Sequence, residues 1–490
     1  MPYRKEFGFN MERKSITVCP KPRFHLSPFL YMQFMEPLSN TDSSVDAAWD
    51  YLKEWWRPEV MKAVRYLSPA MIRWGGCFSS YYRWREAVGP RDQRVPMLNL
   101  CWDGLFSNQV GTGEFLAFCR QVGAEPLIGV NMESDGRMRW ACPAPGMCRS
   151  AGPEEAAEWV DYCNNPDNAD RKAHGDVEPY SVRYWQIGNE TSYDPNGFDC
   201  ETAAGRTLDF ARQMRKKDSS IRLIAWGDSG WAERMCGIAG EEVDLIAFHH
   251  HFDSGRKGSP LYGTEYRRDF LCTWEHLMHA CHSMENRLKE MREQVAPYGK
   301  KLAMTEGHFA LPGRNRCEVL STWAAGVAYA RILNVQERNG DILDIATLAD
   351  FFGNRWQVNA ILIPTPIRKQ KPYLQPVGWV MMLYRHHTGE QSVSVSFPSD
   401  LDVTASRTGD RIFLHVVNTR MDRAVKADLT IEGMKILSGK AYEISEDPEF
   451  EITELTPDAF KPREKGLTGV EWTFPAASVT AVELECSDNH

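Results

Sequence analysis

The chain has 490 residues and lacks any apolar run approaching the roughly 20 residues that span a bilayer. Its first ten residues, Met-Pro-Tyr-Arg-Lys-Glu-Phe-Gly-Phe-Asn, hold no apolar signal core. No basic run rises above background and the net charge is −9, which argues against a nucleic-acid partner. The 13 Cys are an odd number without paired spacing. In a chain with no export signal they read as free thiols of a reducing compartment, so the expected location is cytoplasmic, with no membrane partner. Cys142 and Cys148 lie close together but lack zinc-ligand spacing. Internal repeats, low-complexity tracts and a His-Glu-x-x-His pair are also missing. These absences leave an expectation of no cofactor and no metal.

What is present is an alternation. Strand-like runs and helical stretches succeed one another from Pro28 to Phe352. They amount to about eight strand–helix units over about 350 residues, the pattern and upper size range of a (β/α)8 barrel. A doubly wound sheet would alternate too, but no glycine-rich phosphate turn follows the first strand. An amphipathic stretch is read at Ala47–Leu67, and helices are predicted at Phe115–Val122, Pro153–Asn164, Thr202–Lys217, Trp274–Val295 and Cys317–Gln336. A last strand is predicted at Ile345–Phe352. After about residue 386 the texture changes to short strands with turns between them, for example Ser392–Phe397, Arg411–Val417, Ala427–Ile431 and Ser478–Leu484. That is the pattern of a β-sandwich. The predicted fold class is therefore an α/β TIM barrel over 21–385 with a C-terminal sandwich over 386–490. A strand within 1–20, ended by Pro20, is expected to join the sandwich.

Two strands end in a carboxylate. Residues 184–190 read Tyr-Trp-Gln-Ile-Gly-Asn-Glu, and residues 301–306 read Lys-Leu-Ala-Met-Thr-Glu. A barrel enzyme delivers its acids from the C-terminal ends of strands. A pair of facing carboxyls, Glu190 and Glu306, is the working part of glycoside hydrolysis. In the retaining form they stand about 5–5.5 Å apart, one attacking the anomeric carbon and the other acting as acid and then base. Asn189 is suited to hold the sugar 2-hydroxyl. Either Glu alone could equally be a helix cap or a surface group.

Residues 249–251 are three consecutive His. Alternate side chains of a strand point to opposite faces, so His249 and His251 share a face, and polar lining of a sugar pocket is the reading for both. His276, His279 and His282 recur at helical spacing on one face, without acids at the places a metal site needs.

Gly188-Asn189-Glu190 on a fourth strand, with Glu306 on a seventh, resembles clan A glycoside hydrolases. More of the chain resembles one branch, the α-L-arabinofuranosidases of glycoside hydrolase family fifty-one. The matching stretches are Ser27–Tyr31 with Glu36, Ile72–Phe78, Gly89–Arg94, Asn108-Gln109, Gly111–Phe115, Pro179-Tyr180, Tyr184-Trp185, Ile246–Phe252, His415–Asn418 and Ala477–Thr480. The resemblance implies that Glu190 is the acid/base and Glu306 the nucleophile. It places Glu36, Cys77 and Asn189 on the sugar, with Gly75-Gly76 letting the backbone approach it. It also implies a glycoside or oligosaccharide substrate and a homo-oligomer. The chain departs from the family pattern at His251, where a Tyr is usual, at the Glu306–His308 continuation, and in the segment where Asn354 or Gln357 would offer an amide to the sugar. The expected activity is retaining, exo-acting release of α-L-arabinofuranose. A β-D-galactofuranosidase, or a pyranosidase of the same clan such as a β-xylosidase or endoglucanase, is the alternative.

Overall fold

The structure, a computed structural model, describes residues 14–133, 137, 142–194, 196–310, 317–365, 371–467 and 469–488. The N-terminal strand, β1 (Ser15–His25), belongs to the C-terminal domain. It pairs antiparallel with Gln391–Ser396 and parallel with Val425–Ile431. Pro20 does not end it. The strand continues to His25 through register shifts between Cys19 and Phe24, where the prolines avoid the hydrogen bonds they cannot donate. The boundary drawn at residue 20 is therefore five residues short.

Seven parallel strands follow in chain order: β2 (Gln33–Met35), β3 (Met71–Trp74), β4 (Glu125–Val130), β5 (Tyr184–Ile187), β6 (Arg222–Trp226), β7 (Leu245–Phe252) and β8 (Lys301–Phe309). The eighth position is split between β9 (Leu343–Ile345) and β10 (Asp350–Gly353), where the sequence pattern predicted one strand. β9 hydrogen-bonds to β8 and β10 to β2, so the two pieces close the ring. The barrel floor is one layer of inward side chains, including Met71, Leu127, Tyr184, Ile224, Ala247, Ala303 and Ile345, all buried. Alternation then dictates the layer above it. Two residues beyond Met71, Tyr184 and Ala247 come Arg73, Gln186 and His249, all buried polar groups.

Several helices differ from the pattern in instructive ways. Pro153–Asn164 forms as predicted, with Pro at its first turn. The stretch 47–67 is not one helix. A short helix Ser44–Ala48 leads into a Trp49–Asp50/Trp55–Trp56 hairpin, and Pro58 starts a second helix to Leu67. Trp274–Val295 is likewise divided, into Phe270–His279 and Cys281–Val295. The helix at 200–217 begins two residues early because Asp199 caps it, accepting from the Thr202 amide at 2.7 Å. Such a cap contributes about 1 kcal/mol.

Eight strands from residue 391 onward and β1 form a nine-stranded sheet over its own core of Ile16, Val18, Val403, Leu414, Val416, Leu429, Val482 and Leu484. It packs on the barrel through the almost wholly buried helix Trp323–Arg338. There Glu337 accepts from Tyr31 Oη at 2.6 Å and lies 3.0 Å from His415 Nδ1. Trp323 donates to the Ala477 carbonyl at 2.6 Å.

Candidate functional site

A buried cation organises the polar layer. Arg73 is inaccessible to solvent, and its fork serves three side chains at once. Nε donates to Gln186 Oε1 at 2.8 Å, Nη1 to Glu306 Oε1 at 2.8 Å, and Nη2 to Asn189 Oδ1 at 2.7 Å. Only a planar guanidinium serves three acceptors in fixed directions. Asn189 is thereby held by its oxygen, and its Nδ2 is buried with no hydrogen-bond partner among the described residues.

Glu306 reaches this layer through an irregularity. Phe248 pairs with Met304, but the next residue, His249, pairs with Glu306, so Thr305 is an extra residue in β8. Regular alternation from Ala303 would send Thr305 inward and Glu306 outward. The bulge resets the parity and re-aims Glu306 into the barrel. Thr305 Oγ1 stays 3.1 Å from His249 Nε2 and fixes the ring, whose Nδ1 faces the carboxylates.

Glu190 lies just beyond β5, with a positive φ of 53° that follows Gly188 at 84°. Such backbone is costly for a residue with a Cβ and persists only where its surroundings hold it. The Tyr193 amide and Arg137 Nη2 both donate to the Glu190 carbonyl, at 2.9 and 3.0 Å. The carboxylate meets His249 Nδ1 at 3.1 Å, Arg137 Nη2 at 2.9 Å and the Cys77 thiol at 3.4 Å. His249 Nδ1 is also 3.6 Å from Glu306 Oε2. One oxygen from each Glu and one His249 nitrogen all lie within 4.8 Å of one another.

The remaining expected residues divide. Glu36 is buried, accepting from Trp102 Nε1 at 2.9 Å and the Phe78 amide at 3.2 Å. Burial, with Glu306 nearby, pushes its carboxyl well up. Cys77 touches Glu190, and the neighbouring Cys101 thiol together with burial raises it, so it is a thiol and not a thiolate. His251 shares the His249 face but stands further out, exposed, with its ring 4.6 Å from His308. The atoms around it keep it neutral, with its pKa pushed down to about 4 by lost hydration and His308. Asn354 is turned away: its Oδ1 accepts from the Ser43 amide and its own amide binds Asp42, which ties down a loop. Gln357 is buried in the same segment. The expectation for Gly75-Gly76 needs correcting. A Cβ at Gly76, whose φ is 143°, would overlap the Glu36 carboxylate, and one at Gly75 would come 2.9 Å from Arg73 Nε. These glycines make room for the protein's own polar groups.

Arg73, Arg137, Gln186, Thr305 and Trp102 were not singled out from the sequence. A charged residue within the apolar run Met71–Trp74, just before two glycines, was the available signal for Arg73. Arg137 lies in a loop without pattern. The three His of the helical spacing have other partners: His276 and His279 bond Ser254 and His282 bonds Glu285. Among the described residues, Glu190, His249 and Glu306 are the group whose side chains converge closely enough to hold a cation. Two of them share a layer with the Arg73 guanidinium.

The charge balance of the free site is uneven. Burial raises Glu306 more than His249 and Arg73 lower it. Burial also raises Glu190, but there the hydrogen bond to His249 and the charge of Arg137 outweigh it and leave the carboxyl below the usual range. His249 is kept neutral by burial despite both carboxylates.

Residues 63–266 match the family model described as α-L-arabinofuranosidase 1 domain, and residues 307–478 match the α-L-arabinofuranosidase C-terminal domain. Alpha-L-arabinofuranosidase C of Emericella nidulans is 35% identical over 181 residues, 36% of this chain and 33% of that protein. The chain thus spans a third of the length of that relative. An intracellular exo-α-L-arabinofuranosidase of Bacteroides ovatus is 23% identical over 470 residues, 88% of this chain and 86% of that protein. In structure the chain is similar to α-L-arabinofuranosidase from Thermotoga maritima, with a TM-score of 0.79 at 24% identity, covering 96% of this chain and 100% of the other. That likeness carries the fold, a TIM barrel with a β-sandwich. Two domain models, both described for α-L-arabinofuranosidase, thus match residues 63–266 and 307–478, and the chain belongs to that α-L-arabinofuranosidase family.

Proposed function

We propose that the chain is a retaining, exo-acting α-L-arabinofuranosidase in which Glu306 is the nucleophile and Glu190 the acid/base. The observation that carries the reading is the approach of the two carboxylates, with oxygens inside 4.8 Å. Retaining enzymes hold the pair about 5–5.5 Å apart, and inverting enzymes need about 6.5–9.5 Å to admit a water. Glu306, oriented by Arg73, attacks the anomeric carbon. Glu190 gives its proton to the leaving oxygen and later takes one from the water that releases the sugar. The unpartnered Asn189 Nδ2 supplies a donor for the 2-hydroxyl, and neutral Glu36 supplies a further hydrogen bond. Burial of both acids together with Glu36, Asn189 and His249 suits a closed pocket that takes a terminal sugar.

The pair needs one proton, and the first displacement needs it on Glu190. The free site favours Glu306. Positive charge developing at the anomeric carbon lies against Glu306 and stabilises its carboxylate, which moves the balance toward Glu190 as reaction begins. The relatives' intracellular names support a cytoplasmic protein. None of the helices, as far as the residues are described, is long and apolar enough to cross a membrane. A homo-oligomer remains part of the proposal through the family resemblance. The test is a panel of nitrophenyl furanosides and pyranosides, with proton NMR of the first-formed sugar. Arabinofuranoside preference with retained configuration is expected; an inverted product refutes the paired-carboxylate mechanism.

A further inference from the structure

Double displacement asks two opposite things of Glu190. It must carry a proton when the leaving group departs and be ionised when water attacks. Among the described residues, the side chains facing it are Cys77 after β3, Arg137 after β4, Tyr193 beyond β5, His249 and His251 on β7, and Glu306 and His308 on β8. The three histidines are held neutral by lost hydration. Cys77 and Tyr193 are pushed further toward their neutral forms. Glu306 is the other acid. Arg137 is the permanent positive charge in direct contact with Glu190. It is buried, bonds both the carboxylate and the carbonyl of Glu190 through Nη2, and has Nη1 3.7 Å from the Cys77 sulfur. Its guanidinium also lies 5.9 Å from the centre of the Tyr193 ring.

We propose that Arg137 is a positioning residue that divides the catalytic cycle unequally, holding Glu190 as the carboxylate that activates water at the expense of the acid that expels the leaving group. Arg73 does the corresponding work for Glu306, so each carboxylate has its own guanidinium. The inference rests on the double-displacement reading. Its direction is set by charge: the cation stabilises only the ionised form of Glu190. Removing it therefore favours glycosylation of substrates with poor leaving groups and slows release of the sugar from Glu306.

The test uses Arg137→Met and Arg137→Gln, with Arg137→Lys as the conservative variant. The alkaline limb of kcat/KM on an unactivated arabino-oligosaccharide reports loss of the last proton of the Glu190–Glu306 pair. With the contact charge removed the pair holds that proton more tightly and the limb moves up, by as much as about 1–3 pH units, and Arg137→Lys returns it toward the wild-type position. With a nitrophenyl arabinofuranoside, the uncharged variants show a larger burst relative to steady-state turnover, because deglycosylation has slowed. A purely structural Arg137 would lower kcat/KM at every pH without moving the limb, and an unmoved limb in the uncharged variants overturns the proposal. Product configuration of the wild type is read in parallel: inversion there refutes the double displacement itself, whatever the variants do.

Discussion

Replacing Arg73 by Met tests whether the nucleophile is charged by design. Arg73 is inaccessible to solvent and pairs with Glu306 at 2.8 Å. Breaking a buried pair by removing one partner costs about 3–5 kcal/mol when the other charge is stranded. Glu306 escapes most of that cost by taking a proton. Burial already raises it with Arg73 in place, and loss of an adjacent opposite charge raises a carboxyl by a further 1–3 pH units or so. The first displacement requires an ionised Glu306, so the acid limb of kcat/KM moves up by that amount. A nitrophenyl arabinofuranoside is the right substrate, because its leaving group scarcely needs Glu190. Assays across the range from roughly pH 4 to 9 locate the limb. On the acid side of the displaced limb, kcat/KM drops about tenfold for every pH step the limb has moved. Arg73→Lys separates charge from geometry. It keeps the cation but cannot serve Gln186, Glu306 and Asn189 together, so the limb stays near its wild-type position. Activity still falls, on the order of 100-fold, because Asn189 loses its anchor. If Arg73→Met keeps the wild-type acid limb, Glu306 does not depend on this guanidinium and the electrostatic account of the site is wrong.

Further outcomes can be measured directly. Glu306→Ala abolishes turnover of every substrate, while Glu190→Ala chiefly slows those with poor leaving groups; wild-type hydrolysis of an unactivated oligosaccharide by Glu190→Ala would contradict the acid role. Asp350 is raised to about 8 by burial and by Asp42, and its Oδ1 is buried with no hydrogen bond among the described residues. Its folded pKa lies above its unfolded value, so the folded chain holds the extra proton and stability falls as pH rises from about 4 to about 8, by up to about 6 kcal/mol. Asp350→Asn removes that slope. Melting midpoints at pH 5 and pH 8.5 should diverge for the wild type and stay closer for the variant. Gly76→Ala forces its Cβ against the Glu36 carboxylate in a left-handed backbone, at a cost of about 1–3 kcal/mol. A several-fold higher KM with a lower melting midpoint is expected, and an unchanged KM would remove Glu36 from the sugar.

The parts of the molecule governed by local periodicity were legible in the sequence. Strand runs of the barrel, the helix opened by Pro153 and the change of texture near residue 386 all follow from side-chain alternation and turn chemistry, which neighbouring residues encode. Glu190 and Glu306 were legible because each ends an apolar run. What escaped depends on pairing between distant strands. The bulge at Thr305 arises from its register against β7, and nothing in Met304-Thr305-Glu306 announces it. Arg73 finds its partners 113, 116 and 233 residues away. The glycines were read for a sugar when their crowding comes from Glu36 and Arg73. Asn354 was offered to the pocket by its place near the eighth strand, but the split between β9 and β10 and the Asp42 loop turn it elsewhere.

The strand Ser15–His25 also has a bearing on how the protein is made. Thr17 pairs with Ser396, and the barrel lies between them in the chain. At about 5–20 residues per second, synthesis leaves this strand without its partner for roughly 20–75 s. During that time its Ile16 and Val18 side chains, destined for the sandwich core, face solvent or a chaperone while the barrel folds downstream. The two domains are thus separate in space but interleaved in time: a strand made before the barrel finds its place only after the barrel has been made.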